Sequence, residues 1–135
     1  MKHLNQFITE YIVKKKLDKP IDSEDHCIYF PKTKQELIDN IQELLKKGKT
    51  DLNCIDTSKI TDMSYLFKNA KNINFDVSNW DVSNVEDMTC MCYNCKKLNF
   101  DLSKWDISKV KYMTVMFYNC NNLKNIPDWF WKLNK

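Results

Sequence analysis

The chain is 135 residues long, with 43% hydrophobic and 13% aromatic residues, the size and make-up of one folded domain rather than a disordered segment. Its formal net charge of +3 comes from 21 basic residues against 18 acids, and every basic residue is lysine. Without the planar guanidinium fork that dominates base readout and phosphate clamping, nucleic acid is not an expected partner.

Met1 to Leu17 contains no long apolar h-region and no small-residue cleavage site, so no secretion signal is expected. No run approaches the length of a membrane span either. The expected location is cytoplasmic or virion-associated, and the six cysteines are expected to be thiols there. Leu4, Phe7, Ile8, Tyr11 and Ile12 describe an amphipathic helix ending before Pro20, and Cys27 to Phe30 reads as a short strand. Thr33-x-x-Glu36 is a capping box. It opens a helix carrying Leu37, Ile38, Ile41, Leu44 and Leu45, with Lys46 and Lys47 in its last turn and Gly48 at C′. Residues 1–50 are therefore expected to be an N-terminal helical cap. A sharper alternative has the first helix, with Lys14, Lys15 and Lys16 beyond it, docking on a partner or a membrane surface.

From Asp51 the chain repeats itself. It reads DLNCIDTSKITDMSYLFKNAKNINF, then DVSNWDVSNVEDMTCMCYNCKKLNF, then DLSKWDISKVKYMTVMFYNCNNLKN. Met63, Met88 and Met113 share a column, as do Asp51, Asp76 and Asp101; Asp56, Asp81 and Asp106; and Asn69, Asn94 and Asn119. Ile73, Phe75 and Val77 alternate with Asn74, Asp76 and Ser78, which predicts a half-buried strand. Ser83-x-x-Glu86 then reads as a capping box, with Val85, Met88, Met91 and Cys92 on one face of a short helix. One strand and one short helix in 25 residues predicts an α/β fold, a leucine-rich-repeat-type solenoid of three coils spanning 51–125. A single glycine leaves positive-φ turns to fifteen asparagines and to aspartate. Residues 126–135 are expected to close the far end as an aromatic cap, with Phe130 continuing the column of Ile55, Trp80 and Trp105.

The pattern S-K-V-x-x-M-x-x-M-F-Y-N-C-x-x-L-x-x-x-L-S-x-W-D resembles the BspA-like leucine-rich-repeat proteins, in their 25-residue DMSxMFxNC form, from Asp51 to about Asn125. The segment YFPKTKQELIDNIQELLKKG is similar to the region that often precedes such repeats. The resemblance implies a repeat fold and a surface, adhesion or binding role. Residues His3 to Asp22 also resemble the openings of small proteins from phages of gut bacteria, which puts a virus particle among the expected settings.

Chemistry is sparse. Cys90-x-Cys92-x-x-Cys95, with Cys120 one repeat on, invites a zinc reading. However, Cys92 shares a column with Phe67 and Phe117, and Cys95 and Cys120 share one with Ala70, so these read as core thiols and no metal or cofactor is expected. Cys95 and Cys120 are also candidates for a disulfide under oxidising conditions. Only His3 and His26 are available as histidine bases, and one glycine leaves no phosphate loop, so an enzyme is not expected. The expected function is a protein–protein interaction module; the rivals are a self-associating structural or assembly component and a cell-surface adhesin. The candidate partner-binding strip is Asp51, Asn53, Asn74, Asp76, Ser78, Asn99, Asp101 and Ser103, the outward residues of the expected strands. Trp129 and Trp131 form a candidate tail interface, since exposed tryptophans are enriched at binding hot spots.

Overall fold

A computed structural model of the chain describes residues 28–124 and 126–133, the side chains of 131–133 excepted. The helix expected around Leu4 to Ile12, Lys14 to Lys16, Cys27 of the expected strand, and both histidines lie outside the described residues.

Helix α1 spans Lys34–Lys46 and starts where its capping chemistry starts. The Thr33 hydroxyl accepts from the Glu36 amide at 3.1 Å, while the Glu36 carboxylate accepts from the Lys32 amide at 3.4 Å. At the other end Gly48 takes φ 76°, Gly48 N donates to Leu45 O at 3.0 Å and Lys49 N to Leu44 O at 3.0 Å. This is the paired closure that glycine permits at a helix C-terminus. Leu37, Ile41 and Leu44 lie on one face and are buried in the same core as the repeats. Ahead of α1, Tyr29 forms a parallel bridge to Ile55, with Ile28 N donating to Cys54 O at 2.8 Å.

The repeats are where expectation fails. The α/β solenoid of three leucine-rich-type coils, each with a strand and a short helix, is overturned. Most of the chain from 51 to 124 is turn and loop, the described residues contain no sheet, and neither Ser83–Cys92 nor its counterparts are helical. Among the described residues parallel pairing occurs only as isolated bridges, including Asp51 to Asp76, Asp62 to Asp87 and Asp87 to Tyr112. Two physical causes account for this. Aspartates at the start of successive turns accept from the amide two residues on, as Asp56 does from Ser58 and Asp62 from Ser64. Each such turn bends the chain before a second ladder rung can form. In the expected helical stretch, Tyr65 and Asn69, Cys90 and Asn94, and Val115 and Asn119 all have positive φ. A left-handed residue every fourth position ends any right-handed helix after one turn. What remains is a run of three-residue-spaced backbone bonds, such as Met91 N to Met88 O and Cys95 N to Cys92 O.

Successive 25-residue segments nevertheless lie side by side. Tyr65 N donates to Thr89 O and Cys90 N to Thr114 O; Asn69 N donates to Tyr93 O and Asn94 N to Tyr118 O. The repeat columns turn inward together: Met63, Met88 and Met113, Leu52, Val77 and Leu102, and Trp80 with Trp105 are all buried. The indole of Trp80 donates to Leu52 O at 2.8 Å and that of Trp105 to Val77 O at 3.2 Å, each reaching back one repeat. The alternation of Phe75 and Val77 with Asn74, Asp76 and Ser78 is thus real as alternating burial, though not as a strand.

Helix α2, Asp128–Leu133, ends the described chain. Phe130 is half-buried against Phe117, with ring centroids 5.2 Å apart, and Trp129 packs edge-on to Phe130 at 6.3 Å. Among the described residues no helix is long and apolar enough to cross a membrane.

Candidate interaction surface

The eight strip residues fall into two unlike halves. Between the first and second repeats the surface is closed: Leu52 N donates to Asp76 O at 3.0 Å, and Asp76 N donates to Thr50 O at 2.9 Å. Asp51 accepts from both the amide and the side chain of Asn53, and Asn53 Oδ1 accepts from the Asn79 amide. Between the second and third repeats, among the described residues, no bridge joins Asp76 to Asp101. There the surface opens into a depression of about 280 Å³ lined by Asn74, Phe75, Asp76, Ser78, Asn99, Phe100 and Asp101. Its apolar members are the buried Phe75 and Phe100, whose ring centroids are 6.1 Å apart. Ser103 is exposed next to the depression, while Asp51 and Asn53 are not part of its lining.

The carboxylates here stay ionised. Burial pushes Asp76 upward, but the Ser78 amide and hydroxyl and the Asn53 side chain outweigh it and hold Asp76 below the usual carboxylate range. The Ser103 amide, then its hydroxyl, does the same for the fully exposed Asp101. Both aspartates are also turn caps: Asp76 Oδ1 accepts from Ser78 N and Asp101 Oδ1 from Ser103 N, each at 2.9 Å. This duty is common to the repeats. Asp51, Asp56, Asp62, Asp81, Asp87 and Asp106 also accept from the amide two residues on.

The cysteine cluster is built into the packing. Cys95 Sγ lies 3.0 Å from Phe67 O and Cys120 Sγ 2.9 Å from Cys92 O, thiols reaching back to the preceding repeat. Cys92, Cys95 and Cys120 are unbridged. Burial, with Cys95 next to it, raises the Cys92 thiol well above its ordinary value, and burial pushes Cys120 up to about 11. Among the described residues no three of His, Cys, Asp and Glu are grouped to hold a metal ion.

At the tail, Trp129 is half-buried and its indole Nε1 is enclosed without a hydrogen-bond partner, so its ring is packed on the core rather than displayed. The Trp131 side chain lies outside the described residues.

A second surface escaped the sequence reading. Tyr65, Tyr112, Val115 and Tyr118 are exposed, and Tyr93 stacks on Tyr118 with centroids 5.0 Å apart. Lys68 Nζ lies 5.4 Å from the Tyr65 ring centroid and 5.5 Å from that of Tyr93. Beside this array Asn94 Nδ2 donates to Asn69 Oδ1 at 3.1 Å and Asn119 Nδ2 to Asn94 Oδ1 at 2.7 Å. The signal was available in the columns Tyr65, Cys90, Val115 and Lys68, Tyr93, Tyr118, whose mixed residue types hid a shared outward position.

No curated protein and no solved structure matches the chain. Residues 35–135 match the family model described as "Mycoplasma protein of unknown function, DUF285", a repeat-containing family. That match takes in α1, all three repeats and the tail, and the chain belongs to the DUF285 family.

Proposed function

We propose that this chain is a non-enzymatic protein-interaction module that binds a partner through the open end of its polar strip. The observation that carries this reading is the depression between the second and third repeats, where ionised Asp76 and Asp101 flank the rings of Phe75 and Phe100. The depression is mainly polar, with the buried Phe75 and Phe100 at its base, and polar surface of this kind suits a hydrogen-bonded, wet protein contact. The carboxylate rim favours a partner that presents lysine or arginine. The acids support a non-catalytic role, because the repeat aspartates are held in turns and Glu86 pairs with Lys111 at 2.9 Å. The resemblance of the repeats to BspA-like proteins, many of them surface or binding proteins, favours the same reading.

The test is affinity capture from the native lysate, read by mass spectrometry, with two variants beside the wild type. Asp76→Lys with Asp101→Lys reverses the rim charge but also removes two turn caps. Asn99→Lys with Ser103→Lys changes side chains on and beside the same rim while leaving both aspartate caps in place. A protein captured by wild type and lost by both variants, with unchanged circular dichroism for the second, identifies the strip as the site. Capture retained by both variants overturns it.

A further inference from the structure

The repeats segregate charge. Residues 63–75, 88–100 and 113–124 contain Lys68, Lys71, Lys96, Lys97 and Lys124 and not a single acid. Residues 51–62, 76–87 and 101–112 contain nine acids against four lysines. Because the segments stack in register, the lysine-only halves adjoin one another, and their five lysines are exposed. Among the described residues none of the five forms an ion pair. The tyrosine array runs through this same half: Tyr65, then Lys68, then Tyr93, then Tyr118. Its backbone is unusual too. Tyr65 has φ 60° while 52% exposed, and Val115 has φ 49° while 44% exposed. Large side chains at positive φ, with little packing to hold them there, mark positions where the surface rather than the core sets the residue.

We infer that this lysine–tyrosine face is a second binding surface, distinct from the polar strip, and that its ligand is an acidic protein segment rich in glutamate or aspartate. Lys68, set beside the Tyr65 and Tyr93 rings, and the exposed ammonium groups of the neighbouring lysines supply the charge, and the tyrosine hydroxyls supply donors to carboxylates. A single-stranded nucleic acid fits less well. Its bases need open aromatic faces, and Tyr93 is already stacked with Tyr118 and has Lys68 over its ring. The inference is tested apart from the strip through Lys96, Lys97 and Tyr118, none of which lines the depression, although Asn74, Phe75, Asn99 and Phe100 belong to the same repeat halves.

Fluorescence anisotropy of a labelled decaglutamate peptide on the full chain tests it, with a ten-residue oligothymidylate as a second polyanion of matched length. The peptide binds wild type at low salt and is weakened about ten-fold or more by Lys96→Glu with Lys97→Glu, two solvent-facing charges reversed at once. Tyr118→Ala weakens it several-fold. Lys104→Glu with Lys109→Glu makes the same change in net charge on the acidic half and leaves the affinity within about two-fold. Asp101→Lys does not weaken it. Lys68→Glu with Lys71→Glu repeats the first arm at independent positions should Lys96→Glu with Lys97→Glu fail to fold by circular dichroism. No binding to wild type, equal losses from both lysine pairs, or tighter binding of the oligothymidylate than of the peptide overturns the inference.

Discussion

Asn94 stands at the centre of the asparagine ladder and tests what holds neighbouring repeats in register. Its side chain donates to Asn69 and accepts from Asn119, and its own φ is 63°. Replacing it with alanine removes both side-chain bonds, each worth about 0.5 kcal/mol at so exposed a site. It also places a Cβ-bearing residue without a local polar group in the left-handed region, at about 1 kcal/mol more. Asn94→Ala is therefore expected to destabilise the chain by about 2 kcal/mol, or roughly 6–8 °C in Tm for a chain this long. Asn94→Gly loses the same two bonds but takes the backbone conformation freely, so it is expected to cost only about 1 kcal/mol. Urea unfolding followed by the fluorescence of the buried Trp80 and Trp105 measures both, with m unchanged if the transition stays two-state. An alanine variant within about 0.5 kcal/mol of wild type would refute the ladder's contribution. A glycine variant as unstable as alanine would refute the backbone half of the reasoning.

Val115 is β-branched at φ 49°, so Val115→Asn, which suits that conformation, is expected to stabilise the chain by about 1 kcal/mol in the same urea assay. Trp105→Phe leaves the Val77 carbonyl without its indole donor inside the core; a loss of about 1–2 kcal/mol is expected, with a shifted urea midpoint as the readout. Asp62, Asp76, Asp101 and Asp106 are all held below their ordinary values: burial raises the first two but turn hydrogen bonds outweigh it, and bonds from Ser103 and Ser108 dominate in the last two. The unfolded chain therefore binds more protons than the folded one in this range. Their contribution is complete above an unfolded aspartate pKa of about 4 and is lost as pH falls through the lower folded values. Thermal melts from pH 6 to pH 2 are expected to show Tm falling below about pH 4, less steeply in Asp76→Asn; an unchanged slope in that variant would exclude Asp76 as a contributor.

Helix capping and the inward-facing columns were legible in the sequence, but neither the fold class nor the secondary structure of the repeats was. Helix α1 followed from Thr33, Glu36 and Gly48 because capping is local chemistry, settled by residues three or four apart. Burial of Trp80 and Trp105 agrees with the apolar residues Ile55 and Phe130 at the two ends of their column. The strand-plus-helix reading failed because alternation and capping boxes report which side chains face inward and which amides need acceptors, not the number of residues between bends. Ser83-x-x-Glu86 shows the ambiguity: the Ser83 amide donates to Asp81, ahead of it, and Glu86 turns outward to Lys111 in the next repeat. Tyr65, Cys90 and Val115 at positive φ had no sequence signature, since none is a residue type that favours that region. Of the strip residues, Asp51, Asn74, Asn99, Asp101 and Ser103 are exposed while Asn53, Asp76 and Ser78 are half-buried, and only the structure separates the closed Asp51–Asp76 junction from the open one at Asp101.

The two candidate surfaces differ in what their residues owe to the fold. Aspartate occurs where it does because each turn needs an acceptor two residues before an unpaired amide, and that requirement alone places Asp56, Asp81 and Asp106 in a column. An acidic half of the repeat is therefore a by-product of turn formation, and an aspartate there is weak evidence of a partner. Binding must be argued from what the turns leave unexplained, which is the missing bridge between Asp76 and Asp101 and the depression that takes its place. The lysine half stands on different ground. No turn requires Lys71, Lys96 or Lys97, and exposed Tyr65 and Val115 adopt a backbone conformation that disfavours them. Residues that the fold does not require, held where the backbone resists them, are better evidence of a selected surface than residues that the fold would have placed there anyway.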